Sequence, residues 1–385
     1  MSYKVTHLHS GETFERQSIL INKEISDFRP PPEKDMAAED FHRHFPGYCE
    51  TKLHSLPSVA EELGFAFVFV KDESNRFDLP SFKILGASWA IHRAICQQLG
   101  LPYSTGLATV KQALAADRGR NTRLVTCTEG NWGRAVARTA AIFGVRATVY
   151  VPGFTSKYTQ NLIRDEGADL RVLEGGTYDD TLTAVINDAK TSEGLVILDT
   201  SWKGYEQIPT WVTQGYQTML RETDKQIKQF GGHPDNILAV GAVGVGSWMH
   251  AVTSHYQGVS LNNKIVTVEP EIAACLKESL HCNCITSIRT GETIMCGMNC
   301  GTPSEIAWPV LKAGVYASVA VTDRESHDSV MFLRSQGVDA GPCGAATLAA
   351  LRKLCGEGIF NEKDRSGMSA LLFSTEGNRE YEVPN

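Results

Sequence analysis

The sequence predicts an α/β fold of two open, twisted, parallel-rich sheets covered by helices, on three observations. From residue 65 onward, short β-rich runs alternate with helical stretches. The strands are apolar, and apolar strands alternating with helices belong to parallel sheets covered on both faces. They fall into two successive series, and 385 residues suffice for two α/β domains with a cleft between them.

The elements follow in order. A polar N-terminal stretch leads to Arg29-Pro30-Pro31-Pro32, a stiff extended connector that ends whatever precedes it. Phe65 to Val70 reads as a strand, and Lys83 to Leu99 as a helix with Ile84, Ile91, Ile95 and Leu99 near one face. Leu124 to Thr128 reads as a strand and Gly133 to Phe143 as a helix. Ala147 to Val151, Leu170 to Leu173 and Val196 to Asp199 complete the first series of strands. The second series is Ile237 to Val240, Ile265 to Glu269, Ala317 to Val321 and Ala370 to Ser374. There is no internal repeat and no low-complexity segment.

Composition excludes several classes. Lys and Arg number 37 against 44 Asp and Glu, a net charge of −7, so no global basic surplus points to nucleic acid or an anionic membrane. No apolar run approaches twenty residues, and Met1 to Arg16 lacks the apolar core of a signal peptide, so cytoplasmic residence is the expectation. Ten cysteines are too thinly spread for a disulfide scaffold. Cys282, Cys284, Cys296 and Cys300, with His281 adjacent, form the one cluster. Their spacing is irregular for a zinc ribbon or finger, so reduced thiols and no metal are expected.

Functional loops in such folds sit at the carboxyl ends of strands, and four of these places carry unusual chemistry. The first is Lys71-Asp72-Glu73-Ser74 with Leu79-Pro80-Ser81-Phe82-Lys83 just before a helix. The positive end of the helix dipole disfavours the charged amine of Lys83, which suits imine formation; a solvated surface lysine meets the same description. The second is Thr128-Glu129-Gly130-Asn131-Trp132-Gly133, either a close-approach loop with a two-way hydrogen-bonding amide or a plain glycine turn. The third is Gly241-Ala242-Val243-Gly244-Val245-Gly246-Ser247, whose N–H groups and Ser247 hydroxyl form a phosphate cradle. A dinucleotide fingerprint would pair it with Glu269, but Met249 stands where the third glycine belongs. The fourth is a strand ending in Ser374 and Thr375, a buried hydroxyl or a satisfied strand end. Together, an amine, an amide, a phosphate cradle and a hydroxyl in that order are what pyridoxal phosphate requires.

On these residues the chain resembles the tryptophan-synthase-β-like, or fold type II, pyridoxal-phosphate enzymes, and within them the diaminopropionate ammonia-lyases. The resemblance runs from about Phe41 to Gly377. It is carried by Phe45-Pro46-Gly47-Tyr48, Lys71-Asp72-Glu73-Ser74, Phe82-Lys83 with Leu85-Gly86, and Tyr178-Asp179-Asp180. Asp199-Thr200, Gln214-Gly215-Tyr216, Thr293-Ile294-Met295, Cys300-Gly301 and Ser374-Thr375-Glu376-Gly377 add to it. Ile208-Pro209-Thr210-Trp211 is the diagnostic stretch.

The resemblance implies pyridoxal 5'-phosphate as cofactor, Lys83 as the Schiff-base lysine and Asn131 as partner of the ring hydroxyl. It implies Gly244, Val245, Gly246 and Ser247 as the phosphate loop and Ser374 as partner of the pyridine nitrogen. It also implies a cofactor-binding domain of residues 1–87 and 200–385, a smaller domain of residues 88–199, an active site in the cleft, and a homodimer. The implied reaction is α,β-elimination of ammonia from 2,3-diaminopropionate.

Three departures cluster at the substrate side. Glu129 stands where such enzymes carry an aspartate base, its carboxylate about 1.5 Å further along. Trp132 replaces the usual histidine, and Pro342-Cys343 replaces Glu-Ser. Asp179 and Asp180 face the substrate's second amine or merely begin a helix. Retained cofactor residues with altered surroundings also admit elimination, replacement or racemisation of another β-substituted amino acid, or cofactor binding without turnover.

Overall fold

The computed structural model describes residues 2–26, 35–116, 122–176, 178–192 and 194–384, without the side chains of Tyr178, Asp179 and Ser192. The Arg29 to Pro32 connector therefore lies outside the described residues. The chain divides into two compact units, one of Met1–Lys34, Glu50–Asn75 and Met219–Asn385, the other of Asp35–Cys49 and Arg76–Thr218.

Seven strands order the first unit: Ile19–Ile21, Val315–Val321, Lys264–Pro270, Ile237–Ala242, Ser369–Ser374, Phe67–Asp72 and Leu53–Ser55. The five inner strands run parallel, and the two short edge strands are antiparallel to them. Every residue of Ile237–Ala242 and Ser369–Ser374 is buried, as a sheet covered on both faces demands. One covering element is the helix Pro342–Gly356, whose Leu348, Leu351 and Leu354 share a core with Val240, Val266 and Leu372. The polar N-terminal stretch forms an antiparallel hairpin, Ser2–Thr6 with Thr13–Gln17, in which Tyr3 and Val5 are buried at the alternate positions. The edge strands and this hairpin are too short or too polar to announce themselves by hydrophobic pattern.

Lys71-Asp72-Glu73-Ser74 is a structural brace in this unit. Lys71 is fully buried, and its Nζ donates to Thr51 O at 2.8 Å, Gln226 Oε1 at 3.0 Å and Glu222 Oε2 at 3.2 Å. Asp72 meets His54 and the Ser74 N–H, and the Glu73 N–H donates to Ser374 O at 2.9 Å.

The second unit holds an all-parallel sheet ordered Asp169–Leu173, Arg146–Pro152, Arg123–Cys127 and Leu195–Val196. Its last strand is shorter than the sequence pattern suggests. Past Val196 the Leu198 N–H turns to the Tyr205 hydroxyl, and Thr126 Oγ1 takes up Ile197 O. Beside the sheet, the helix Lys83–Leu99 crosses the helix Gln207–Gly215 at a point where neither admits a side chain. A Cβ on Gly86 would stand 2.7 Å from Val212, and one on Gly215 would stand 2.4 Å from Leu85 O. Leu85-Gly86 and Gln214-Gly215-Tyr216 are therefore two halves of one close helix crossing, which seats the start of the helix that carries Lys83. Among the described residues, no helix is long and apolar enough to cross a membrane.

Candidate active site

In the second unit the strands Arg123–Cys127 and Leu195–Val196 pair in parallel, so Glu129 and Asp199 leave the same edge of the sheet. Lys83 is the first residue of its helix, and its Nζ lies 2.8 Å from Asp199 Oδ2. Asp199 is 7% exposed. The dipole of the helix start works against the ammonium by about 0.3–1 kcal/mol, and a charge-assisted contact to a buried carboxylate is the stronger influence. The carboxylate thus aims the amine. Asp199 was visible in the sequence only as part of a matching dipeptide, because nothing local pairs residues 116 positions apart.

The asparagine loop is rigid. Thr128 Oγ1 accepts the Gly130 N–H at 2.9 Å, and a Cβ on Gly133 would stand 2.3 Å from Thr128 Cγ2. Asn131 opens the helix Asn131–Phe143. Trp132 turns inward and is buried; its Nε1 donates to Thr126 Oγ1 at 3.0 Å and to Ile197 O at 3.2 Å, and its ring centroid lies 5.8 Å from Lys83 Nζ. Glu129 is half-buried, and desolvation pushes its carboxyl up to about 7. A carboxylate with that setting exchanges protons near neutrality. Asp180 is exposed in the first turn of the helix Tyr178–Ser192, and the Asp179 side chain lies outside the described residues.

In the first unit, the strand Ile237–Ala242 ends in the loop that opens the helix Ser247–Val259. Gly246 takes φ +97 as the N-cap residue and, being glycine, offers the helix no capping side chain of its own. A Cβ on Gly244 would stand 3.0 Å from Gly297 O and 3.2 Å from Cys300 Sγ. Glycine at 244 and 246 therefore lets this loop pack closely against Gly297, Cys300 and Leu311, and the helix N-terminus it leads into is the kind of place that suits a phosphate such as that of pyridoxal phosphate. The neighbouring strand brings Ser374 to the same edge, fully buried, with Leu372 opposite Val240. A Cβ on Gly344 would stand 2.6 Å from Ser374 Oγ, so glycine alone lets the helix Pro342–Gly356 abut this hydroxyl.

Pro342-Cys343 proves to have a carboxylate beside it after all. Buried Glu376 accepts the Cys343 N–H at 3.2 Å, with Arg379 3.8 Å away. Burial together with Glu376 pushes the Cys343 thiol well up, so it stays protonated. Glu376 went unassigned in the sequence because its partner, an amide 33 positions earlier, leaves no local signal.

Two other readings meet specific obstacles. Glu269 is consumed by the Leu276 and Lys277 N–H groups, both at 2.8 Å, and is not offered to a ribose. Of the clustered cysteines, Cys282 joins His7 and Glu278 with ligand atoms within 4.8 Å of one another. Arg16 already closes that carboxylate with Nε and Nη2 contacts of 2.8 Å each, so the cluster is an ion-pair network.

Residues 44–369 match the family model described as pyridoxal-phosphate dependent enzyme. The chain is 33% identical to the diaminopropionate ammonia-lyase of Salmonella typhimurium, over 89% of each chain. The chain belongs to the pyridoxal-phosphate dependent enzymes of the diaminopropionate ammonia-lyase family. It is also 30% identical to the Escherichia coli diaminopropionate ammonia-lyase, over 88% of this chain and 87% of that one. The solved structure of the Escherichia coli enzyme in complex with D-serine superposes with a TM-score of 0.85 at 28% identity, covering 93% of each chain. Another, with an aminoacrylate-PLP azomethine reaction intermediate, gives a TM-score of 0.83 at 26% identity over 98% of this chain and 95% of that one. The fold is therefore type II, and the family's cofactor is pyridoxal 5'-phosphate.

Proposed function

We propose that this protein catalyses α,β-elimination of ammonia from 2,3-diaminopropionate, the substrate and one water giving pyruvate and two ammonia. The observation that carries this reading is the 33% identity to a diaminopropionate ammonia-lyase across 89% of both chains. In this reading Lys83 would hold the cofactor through its aldehyde, Asn131 would meet the ring hydroxyl, Gly244 to Ser247 would hold the phosphate and Ser374 would meet the ring nitrogen. The bound cofactor supplies an electron sink for charge developing at the substrate Cα. Ser374 is a neutral partner, so it does not drive protonation of the ring nitrogen, which favours prompt loss of the β-substituent.

The chain's own groups then divide the proton transfers. Lys83 Nζ, once free, would remove the Cα proton of one enantiomer and could return it to the β-amine as that departs as ammonia, while Asp199 at 2.8 Å would hold the lysine amine in line. Glu129 removes the Cα proton of the other enantiomer, its carboxyl poised at about 7. Trp132 and Cys343 bound the substrate side, and Asp180 offers a carboxylate to the second amine. We further infer a homodimer, which light scattering on the purified protein tests directly, and cytoplasmic residence, which fractionation of cells tests.

The test supplies each enantiomer of 2,3-diaminopropionate singly to the purified enzyme while pyruvate and visible absorbance are followed. Pyruvate, with a cofactor band that Lys83→Ala abolishes, supports the reading. A Lys83-dependent band without pyruvate moves the search to β-hydroxy or β-thio amino acids. The presence of Lys83 and Glu129 in one unit also suits racemisation. Inversion of a single enantiomer in deuterated buffer without pyruvate would favour a racemase, and a band that no amino acid perturbs would favour a binding protein.

A further inference from the structure

We propose that Trp132 is a positioning residue for Lys83, an anchored aromatic face that steadies the lysine amine beside Asp199. The proposal rests on Lys83 being the cofactor lysine, and it concerns a residue that replaces the histidine expected at this place.

The anchoring is built from the sheet itself. Trp132 is 3% exposed, and its Nε1 reaches both Thr126 Oγ1 and Ile197 O. Thr126 Oγ1 in turn donates to Ile197 O at 2.7 Å, and the Ile197 N–H donates to Val125 O at 2.9 Å. Indole, hydroxyl and carbonyl therefore close a small network across two adjacent strand ends. Such a network holds the ring plane as no apolar contact would. Asp199 lies two residues beyond Ile197 on the same backbone, so the segment that fixes the indole also fixes the carboxylate. The lysine amine meets both, Asp199 Oδ2 at 2.8 Å and the ring centroid at 5.8 Å, within the reach of a cation–π contact.

Tryptophan suits this role better than histidine for two reasons. Its face is the strongest cation–π partner among the aromatic side chains. Its ring also carries no titratable nitrogen, so the contact does not change sign near neutrality as an imidazole's does. Among the described residues, Asp199 is the ionisable group in contact with the amine, Glu129 lies on the loop that carries Trp132, and the buried phenols of Tyr205 and Tyr216 feel the Asp199 charge. Burial and the Asp199 charge hold both phenols protonated, and the Cys127 thiol lies within electrostatic reach of Tyr205.

The experiment reads capture of the cofactor by the full-length chain. Cofactor is removed and then returned as pyridoxal phosphate, and the rate at which the visible band appears is measured from pH 6 to 10 for wild type, Trp132→Leu, Trp132→Phe and Thr126→Val. Imine formation needs the neutral amine, and the aromatic face favours the charged one. Trp132→Leu should therefore capture pyridoxal phosphate about two- to fivefold faster on the rising limb, with the half-maximal pH lowered by about half a unit. Trp132→Phe, which keeps a face but loses the anchoring N–H, should fall between Trp132→Leu and wild type. Thr126→Val, which keeps the indole but removes one of its two anchoring partners, should shift the profile in the direction of Trp132→Leu by a smaller amount. A Lys83-dependent band with unmoved profiles in both Trp132→Leu and Thr126→Val would overturn the proposal while leaving the cofactor assignment intact. Absence of any Lys83-dependent band in the wild type would overturn the assignment and the proposal together. Should Trp132→Leu fail to fold, Thr126→Val decides alone.

Discussion

Glu129→Gln separates the catalytic and the structural consequences of one buried carboxyl. Desolvation raises this group from 4.5 to about 7, so the native state binds a proton that the unfolded chain releases. A group raised in the folded state contributes most below its unfolded value and loses that contribution as pH rises through the folded one. The window is therefore pH 4.5 to 7. The full shift corresponds to roughly 3 kcal/mol at 1.36 kcal/mol per pH unit, and about 2 kcal/mol of it falls between pH 5.5 and 8.5. Glutamine fills nearly the same volume and carries no charge to desolvate. Urea unfolding of cofactor-saturated protein at the two pH values should show Glu129→Gln gaining on wild type by about 2 kcal/mol at the higher one. Pyruvate release should fall by about 10²-fold or more for one enantiomer of 2,3-diaminopropionate and far less for the other. In the wild type, turnover of the affected enantiomer should rise with pH through about 7, since the base must be ionised. Parallel stability curves would show that the carboxyl is not desolvated in the native state. Equal losses on both enantiomers would show that it is no enantiomer-specific base.

Three further outcomes follow from the geometry. Asp199→Asn removes the charge that holds Lys83 at 2.8 Å; kcat should drop at least tenfold, and the pH profile of cofactor capture should shift further down than in Trp132→Leu, as stopped-flow absorbance would show. Gly344→Ala puts a Cβ about 2.6 Å from Ser374 Oγ, so stability should fall by about 1–3 kcal/mol and pyridoxal phosphate should dissociate faster in dialysis. Glu222→Gln strips the carboxylate from the fully buried Lys71 ammonium. It should cost about 3–5 kcal/mol in urea unfolding, and a Lys71→Met, Glu222→Leu double substitution should recover much of that loss.

Much of the scaffold was legible because its signals are local. The helix from Lys83 to Leu99 was readable to its ends, Gly100 closing it in a left-handed conformation. The inner strands were readable within two residues, because full burial makes them continuous apolar runs. The short edge strands and the N-terminal hairpin were not, since three-residue pairings and polar alternation sit below what a hydrophobic pattern can resolve. The glycine pair Gly86 and Gly215 was visible as two motif fragments. Its meaning as one helix crossing emerged only when both helices were placed.

The sequence by itself determined the class of fold, the order of strand-end motifs and the residue types that a pyridoxal-phosphate enzyme needs. Those properties depend on periodicity, composition and short spacings, which a chain carries wherever it folds. Tertiary structure alone decided which charges meet. Asp199 reaches Lys83 and Trp132 reaches Thr126 and Ile197 in the second unit, and Glu376 reaches the Cys343 amide in the first, because each parallel sheet gathers its strand carboxyl ends along its own edge. Strand order and register are set by burial summed over a whole sheet, so no stretch of sequence around any one of these residues contains them.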